Sequence, residues 1–450
     1  MRGGGLQVRA SMINFYDIAY GLGVAVSAPY WVVKPSARSK VLSAFCQRMG
    51  DVARRQSDAA AVMIHAVSVG EINATRALVH ELRLRRGDLH IIISTTTKTG
   101  YQRGQELYGA APYITLIRYP LDFTPAVTRV LDLLRPSLVV LMELEVWPNF
   151  MQQCRKRNIP VILANGRLTS SSFRRYRMVR PIAASMFSRL AMVCAQDQTY
   201  AGRFEALGVP RDRILVTGTM KFDTAQVADS VSGDASLAWA VGLHRDAEPI
   251  WVCGSTGPGE EQIILREYRN LLATFRRLRL VIVPRKPERF DEVAALIEQF
   301  RFTCVRRARN QPPPIDPPVP PVILGDTMGE LRKFYSIADI VFVGRSLVDL
   351  GPRQHGSDMI EPAALAKPII VGPYTGNFEQ PMRLFKAADA ILQVVDGESL
   401  NQAVRVLIST PAEAKAMGRR AQQVVRAAQG ATQRHVELIL NALASVKPQT

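Results

Sequence analysis

Two apolar runs in this chain end in carboxylates. In HAVSVGEINATRAL the run Val62–Val67 gives way to Ser68-Val69-Gly70, read as a tight turn where Gly70 lets backbone approach closely, with Glu71 at the start of the next helix. A carboxylate there either stabilises a helix N-terminus or serves as a general base, and position alone leaves both readings open. In LMELEVWPN, Glu143 and Glu145 alternate along a segment read as extended, so both are expected to point to one side. Acids ending an apolar run are costly unless paired or functional, and neighbouring carboxylates raise one another's pKa, which suits proton transfer. The competing reading is a structural ion pair with a nearby arginine.

Cationic residues recur at other strand ends: Arg167 in ANGRLTSSS, Lys221 in TGTMKFD, and Arg285 with Lys286 in VIVPRKPERF. Taken singly, each reads as a solvated surface charge. Taken together at equivalent positions facing one cleft, they fit an anionic substrate better. In GDTMGEL, Asp326, Thr327 and Gly329 read as a polar turn and Glu330 opens a helix, while MIEPA places Glu361 in the first turn of another, before Pro362. That is good capping chemistry when taken alone. The sequence holds no Asp-x-Asp metal motif, GxxxxGK[ST] loop, HExxH or GxSxG elbow, and its six histidines are dispersed. No metal and no cofactor are expected.

The elements that position these residues alternate in type. Strands are predicted at Val62–Val67, Ile91–Thr95, Leu138–Met142, Pro160–Ala164, Met192–Ala195 and Ile214–Thr217, with helices such as Asn73–Leu84 and Pro148–Arg157 between them. Strands apolar on both faces imply a parallel, doubly wound sheet. The rhythm lapses over 224–246, read as a linker, and restarts with Ile250–Cys253, Arg279–Val283, Val322–Leu324, Ile340–Val343 and Ile369–Val371. Pro411–Ala444 reads as helical. The expected division is thus an N-terminal segment over 1–40, a Rossmann-like domain over 41–223, the linker, and a second Rossmann-like domain over 247–450. Two such α/β domains face a deep cleft, and ligands bind beyond the strand C-termini.

Bulk properties narrow the field. At 450 residues, 47% apolar and 21% charged, the chain suits two globular domains. A net charge of +18 and a pI near 10.0 attract polyanions: nucleic acid, anionic lipid or a phosphorylated substrate. No aromatic-studded basic patch supports nucleic acid. Five scattered cysteines argue against a disulfide framework or zinc site. Met12–Val33 is long enough as a helix to span a bilayer, with Tyr30 and Trp31 beside Lys34, Arg38 and Lys40, so an uncleaved membrane anchor is expected there. A buried N-terminal helix is the alternative, and Gly21, Gly23 and Pro29 leave spanning versus interfacial open.

With these segments in view, the chain resembles the Kdo (3-deoxy-D-manno-octulosonic acid) transferase family of lipopolysaccharide biosynthesis. The resemblance runs from Val41 to the C-terminal helix through HAVSVGE, MELEVWPN, ILANGRLT, TGTMKFD, VPRKPERF, GDTMGEL and MIEPA, in the family's order and spacing. It implies a GT-B fold and inverting, metal-independent transfer of Kdo from CMP-Kdo to a lipid A precursor (lipid IVA). The location implied is the cytoplasmic face of an inner membrane. By the same resemblance Glu71 is the base, and Glu143 or Glu145 supports the site. Arg285 and Lys286 meet the donor phosphate, Thr327, Met328, Gly329 and Glu330 border the nucleotide with Asp358 nearby, and Glu361 holds the ribose hydroxyls. Ser68, Gly70, Arg167 and Lys221 fall to acceptor or anion binding, and domain closure assembles the site.

Three departures stand out. The family's double glycine is here Gly344-Arg345, its glycine-rich stretch is RQHGSDMIEP with His355, Ser357 and Asp358, and Gly257 stands where the family often has histidine. Bulkier side chains are expected to crowd a phosphate-binding turn, and Asp358 brings negative charge toward an anionic donor. Two alternatives follow: a degenerate, membrane-bound scaffold or regulator, and a GT-B transferase using another activated sugar.

Overall fold

The computed structural model describes residues 14, 16–18, 20–23, 45–244, 247–310, 317–351 and 354–446. Runs such as AVMIH and LVVLM are buried along their whole length, which requires cover on both faces and parallel pairing. Two compact units result: unit 1 holds the residues up to Thr224 and those from Gly430 onward, and unit 2 holds Ala225–Gln429.

Among the described residues each unit is built on a seven-stranded parallel sheet. Unit 1 contains β1 (Ala61–His65), β2 (His90–Thr95), β3 (Ile114–Arg118), β4 (Leu138–Met142), β5 (Val161–Gly166), β6 (Met192–Ala195) and β7 (Ile214–Val216), ordered β3-β2-β1-β4-β5-β6-β7. Unit 2 contains β8 (Ile250–Thr256), β9 (Arg279–Pro284), β10 (Cys304–Arg306), β11 (Val322–Leu324), β12 (Ile340–Val343), β13 (Ile369–Val371) and β14 (Leu392–Gln393), ordered β10-β11-β9-β8-β12-β13-β14. The strand order reverses between β1 and β4 in the first sheet and between β8 and β12 in the second. At such a reversal the connecting loops part, and ligands of open α/β sheets bind beyond the strand C-termini there.

Three features differ from the sequence expectations. The stretch 224–246 is more than a linker: Asp234–Ala240 forms a helix of unit 2, with Leu237 and Ala238 buried and the Ser336 hydroxyl donating to Asp234. The C-terminal helical stretch is two helices, Pro411–Ala428 and Ala431–Ala444, parted where Gly430 takes a left-handed φ of 90°. The second of these belongs to unit 1, not to the domain expected over 247–450. Ala431, Val436, Ile439 and Leu443 complete the core cluster that contains Val62, Ile64 and Val140.

All five cysteines are free thiols. Much of the anchor expected over Met12–Val33 lies outside the described residues. Among the described residues no helix is long and apolar enough to cross a membrane.

Candidate active site

At the reversal point of unit 1, Ser68 caps the helix Val69–Arg85. The Glu71 amide donates to Ser68 Oγ at 3.3 Å. In return Glu71 Oε1 accepts from the Ser68 amide at 3.2 Å and the Ser68 hydroxyl at 2.8 Å, while Oε2 accepts from the Val67 amide at 3.0 Å. Gly70 is therefore inside the first helical turn, not in a tight turn before it, and a side chain there would meet only Ser68 Oγ, at 3.9 Å. The capping reading of Glu71 is met in full, but its carboxyl group is only half-buried. Burial, then the Glu143 charge, push its pKa up to about 7, against hydrogen bonds that pull it down; Glu145 adds a smaller upward push.

Glu143 and Glu145 do not sit on an extended strand. β4 stops at Met142, and Glu143 takes a left-handed φ of 58° that turns the chain, so strict alternation of sides no longer applies. The turn is fixed from β5: the Glu143 amide donates to Ala164 O at 3.0 Å, and its carbonyl accepts from the Arg167 amide at 3.2 Å. Glu145 accepts from Trp147 Nε1 at 3.1 Å, and burial raises its pKa. Glu71, Glu143 and Glu145 thus share one electrostatic neighbourhood. Arg167 follows β5 beside them. Lys221 follows β7, next to the 3₁₀ turn Phe222–Thr224 that packs on the helix Val69–Arg85.

In unit 2, Arg285 and Lys286 are exposed beyond β9, with the Arg285 amide donating to Thr256 O at 3.0 Å. Beyond β11, Gly329 has a φ of 83° and Met328 is 72% exposed, so this turn presents itself to solvent. Glu330 is committed locally: it accepts from Thr327 Oγ1 at 2.6 Å and Arg307 Nε at 3.1 Å, and Lys333 Nζ is 3.5 Å away. Burial pushes its pKa up, but the Thr327 and Arg307 bonds outweigh that and leave it lowered. Glu361, half-buried in the helix Ile360–Ala364, is pushed up to about 7 by burial and then by Asp358, against Arg332 and Arg285. Asp358 Oδ1 accepts from the Ile360 amide at 2.9 Å, while His355 Nε2 pairs with Asp349 Oδ1 at 2.8 Å.

Sequence reasoning passed over Glu260. It is fully buried, and its carboxylate accepts from the amides of Gly257 at 2.8 Å, Arg345 at 2.6 Å, Ser346 at 2.8 Å and Leu347 at 2.8 Å. It ties the loop after β8 to the loop after β12, across the reversal point of the second sheet. The signal was present in GPGEE, an acidic pair just past two glycines at a helix start. The second acid, Glu261, pairs with Arg289 Nη1 at 2.6 Å.

Residues 43–224 match the profile of the family described as 3-deoxy-D-manno-octulosonic-acid transferase (kdotransferase). A 3-deoxy-D-manno-octulosonic acid transferase of Haemophilus influenzae is 35% identical over 379 residues, covering 84% of this chain and 86% of that protein. The chain belongs to the Kdo transferase family. A second Kdo transferase, from Bordetella pertussis, is 34% identical over 388 residues, covering 85% of this chain and 87% of that protein. A crystal structure of UDP-GlcNAc 2-epimerase from Neisseria meningitidis matches with a TM-score of 0.57 at 16% identity, over 85% of this chain and 100% of that one. At that identity the likeness concerns the fold alone, which is GT-B-like. This Kdo transferase is accordingly a glycosyltransferase, with an acidic cluster in unit 1 and a mixed cationic and acidic set in unit 2.

Proposed function

We propose that this Kdo transferase moves Kdo from CMP-Kdo to a lipid A precursor with inversion, using Glu71 as general base. One observation carries the reading: a half-buried carboxyl group with a pKa of about 7 sits at the sheet's reversal point, oriented by its own helix cap. Such a group is ionised often enough near neutral pH to accept a proton, yet basic enough to do so usefully. Glu71 takes the proton of the acceptor hydroxyl as that oxygen bonds to the anomeric carbon. The bond from that carbon to the phosphate oxygen breaks, and CMP leaves with the electron pair.

The leaving phosphate needs charge stabilisation more than a proton, which Arg285 and Lys286 are suited to give without a metal. Glu361, once ionised, is suited to accept hydrogen bonds from the ribose hydroxyls. The acceptor is phosphorylated, in keeping with a net charge of +18. The helices Ser170–Met178 and Arg180–Phe187 expose Arg174, Arg175, Arg177 and Arg180 around Met178, Val179 and Ile182, a composition suited to an anionic membrane surface. We assign the enzyme on that basis to the cytoplasmic face of an inner membrane.

The test is transfer itself. Purified protein, CMP-Kdo and a tetraacylated lipid A precursor should yield products heavier by Kdo in a mass spectrum. CMP binding without any transfer would favour the scaffold reading, and transfer from a competing sugar nucleotide would replace the donor.

A further inference from the structure

We propose that Arg345 is a second donor-binding cation, meeting the phosphodiester of the sugar nucleotide together with Arg285 over the end of β8. The proposal rests on the donor reading above and adds a residue at a position where the family resemblance leads one to expect glycine.

The sheet brings the two arginines together. Strands β9, β8 and β12 are neighbours, and Arg285, Gly257 and Arg345 follow their respective C-terminal ends. The middle position carries no side chain. A Cβ built on Gly257 would lie 2.7 Å from Leu350 Cδ1 and 3.0 Å from Arg345 Cγ, so the Arg345 stem occupies space that a residue at 257 would claim. A side chain at 257 and the Arg345 stem in its present place thus exclude one another. Gly344, by contrast, has to be glycine: a Cβ there would come within 2.6 Å of Thr256 Cα.

Among the described residues neither guanidinium is in an ion pair, although the Glu260 charge acts on Arg345 and the Glu361 charge on Arg285. Glu260 spends its oxygens on four backbone amides, and among the described residues the Arg345 guanidinium's hydrogen bond runs from Nη2 to Gln354 Oε1 at 3.4 Å. Burial and then the Arg285 charge depress the Arg345 pKa, and the opposing pull of Glu260 does not cancel them. Two guanidinium groups held this way are stabilised when an anion lies between them, and their fork geometry suits phosphate oxygens. The amides of Gly257, Arg345, Ser346 and Leu347 are not open to a phosphate, because Glu260 has already taken them.

The backbone of Arg345 gives a second argument. Its φ is 58°, its amide is held by Glu260 and its carbonyl accepts from the Gly356 amide at 2.6 Å. Glycine adopts this conformation at lower cost, so the arginine carries a backbone strain that glycine here would relieve.

The experiment compares Arg345→Gly, Arg345→Gln and Arg345→Lys with wild type. CMP and cytidine binding are read by calorimetry, the KM for CMP-Kdo by steady-state transfer, and Tm by thermal melting. Loss of one charge-assisted contact predicts about tenfold weaker CMP binding and a correspondingly higher donor KM in the Gly and Gln variants, with partial rescue by Lys. Arg345→Gly should melt at a higher temperature than wild type, separating strain from binding, and Gly257→His should be better tolerated in that background than alone. Wild-type CMP affinity in Arg345→Gln, or an equal loss for cytidine, which lacks the phosphate, would overturn the assignment while leaving the donor reading intact. Failure of wild type to bind either CMP or CMP-Kdo would remove both.

Discussion

Ser68 and Glu71 hold each other through a reciprocal pair of hydrogen bonds, the serine hydroxyl donating to Oε1 at 2.8 Å and the Glu71 amide donating back to the hydroxyl oxygen at 3.3 Å. The serine does two jobs. It begins the helix, and it stabilises the ionised form of the carboxylate. Ser68→Ala should therefore cost about 1 kcal/mol of stability as a lost cap. It should also move the Glu71 pKa upward, because the lost bond was one that lowered it. Denaturant melts and a rate profile shifted to higher pH are the readouts, and a shift to lower pH would contradict this account.

Glu71→Gln should abolish transfer while CMP binding by unit 2 stays near wild type, as seen by single-turnover assay beside calorimetry. In wild type, kcat/KM should rise with pH through about 7 as Glu71 ionises. Glu143→Gln should move that midpoint downward by removing the charge that helps raise it. An unmoved midpoint would separate Glu143 from the base.

The proposed ribose role of Glu361 would make donor binding pH-dependent. The Glu361 pKa is pushed up to about 7, so the ionised form, the one proposed to accept ribose hydroxyl bonds, is lost as pH falls through that value. CMP affinity should thus weaken from pH 8 to pH 6. Asp358→Asn should shift the transition to lower pH, and Glu361→Ala should weaken binding at all pH values.

Both raised carboxyls also bear on folding, with a definite sign. A carboxylic acid whose native pKa exceeds its unfolded value binds more protons when folded, so Glu71 and Glu361 contribute stability at acid pH that is lost as pH rises from about 4.5 to about 7. Chemical denaturation of the Glu71→Gln, Glu361→Gln double variant across that range should show a smaller decline than wild type.

Glu260→Ala should be among the most damaging single changes in unit 2. It leaves four backbone amides at the reversal point without their acceptor, a loss of about 3 kcal/mol or more. Urea melts measure it, and a loss under about 1 kcal/mol would mean that the loops re-pair without the carboxylate.

Where the sequence was legible, continuous burial made it so. β4, β6, β11, β12 and β13 were read to the residue because each is an unbroken apolar run bounded by turn residues. β3, β10 and β14 were missed, and all three lie toward the outside of their sheets. β3 is only partly buried over its first three residues, and β10 and β14 have just three and two residues. The site divides on similar lines. Glu71 and Glu361 were visible as acids at helix starts, but the turn at Glu143 was not, since hydropathy marks the end of an apolar run without showing that the next residue is left-handed. Glu260 was passed over because its role depends on amides 85 to 87 residues away, which no local pattern encodes.

The helix Ala431–Ala444 has a consequence for how the protein is made. Unit 2 is one uninterrupted stretch and has all its residues once synthesis passes Gln429, whereas unit 1 must wait for Val436, Ile439 and Leu443 before its core is closed. During translation the apolar face meant for that helix stays open while the whole of unit 2 is produced. A chain ending just after Gln429 would thus spare unit 2 and leave unit 1 with a permanent greasy gap, a natural target for chaperones and proteases.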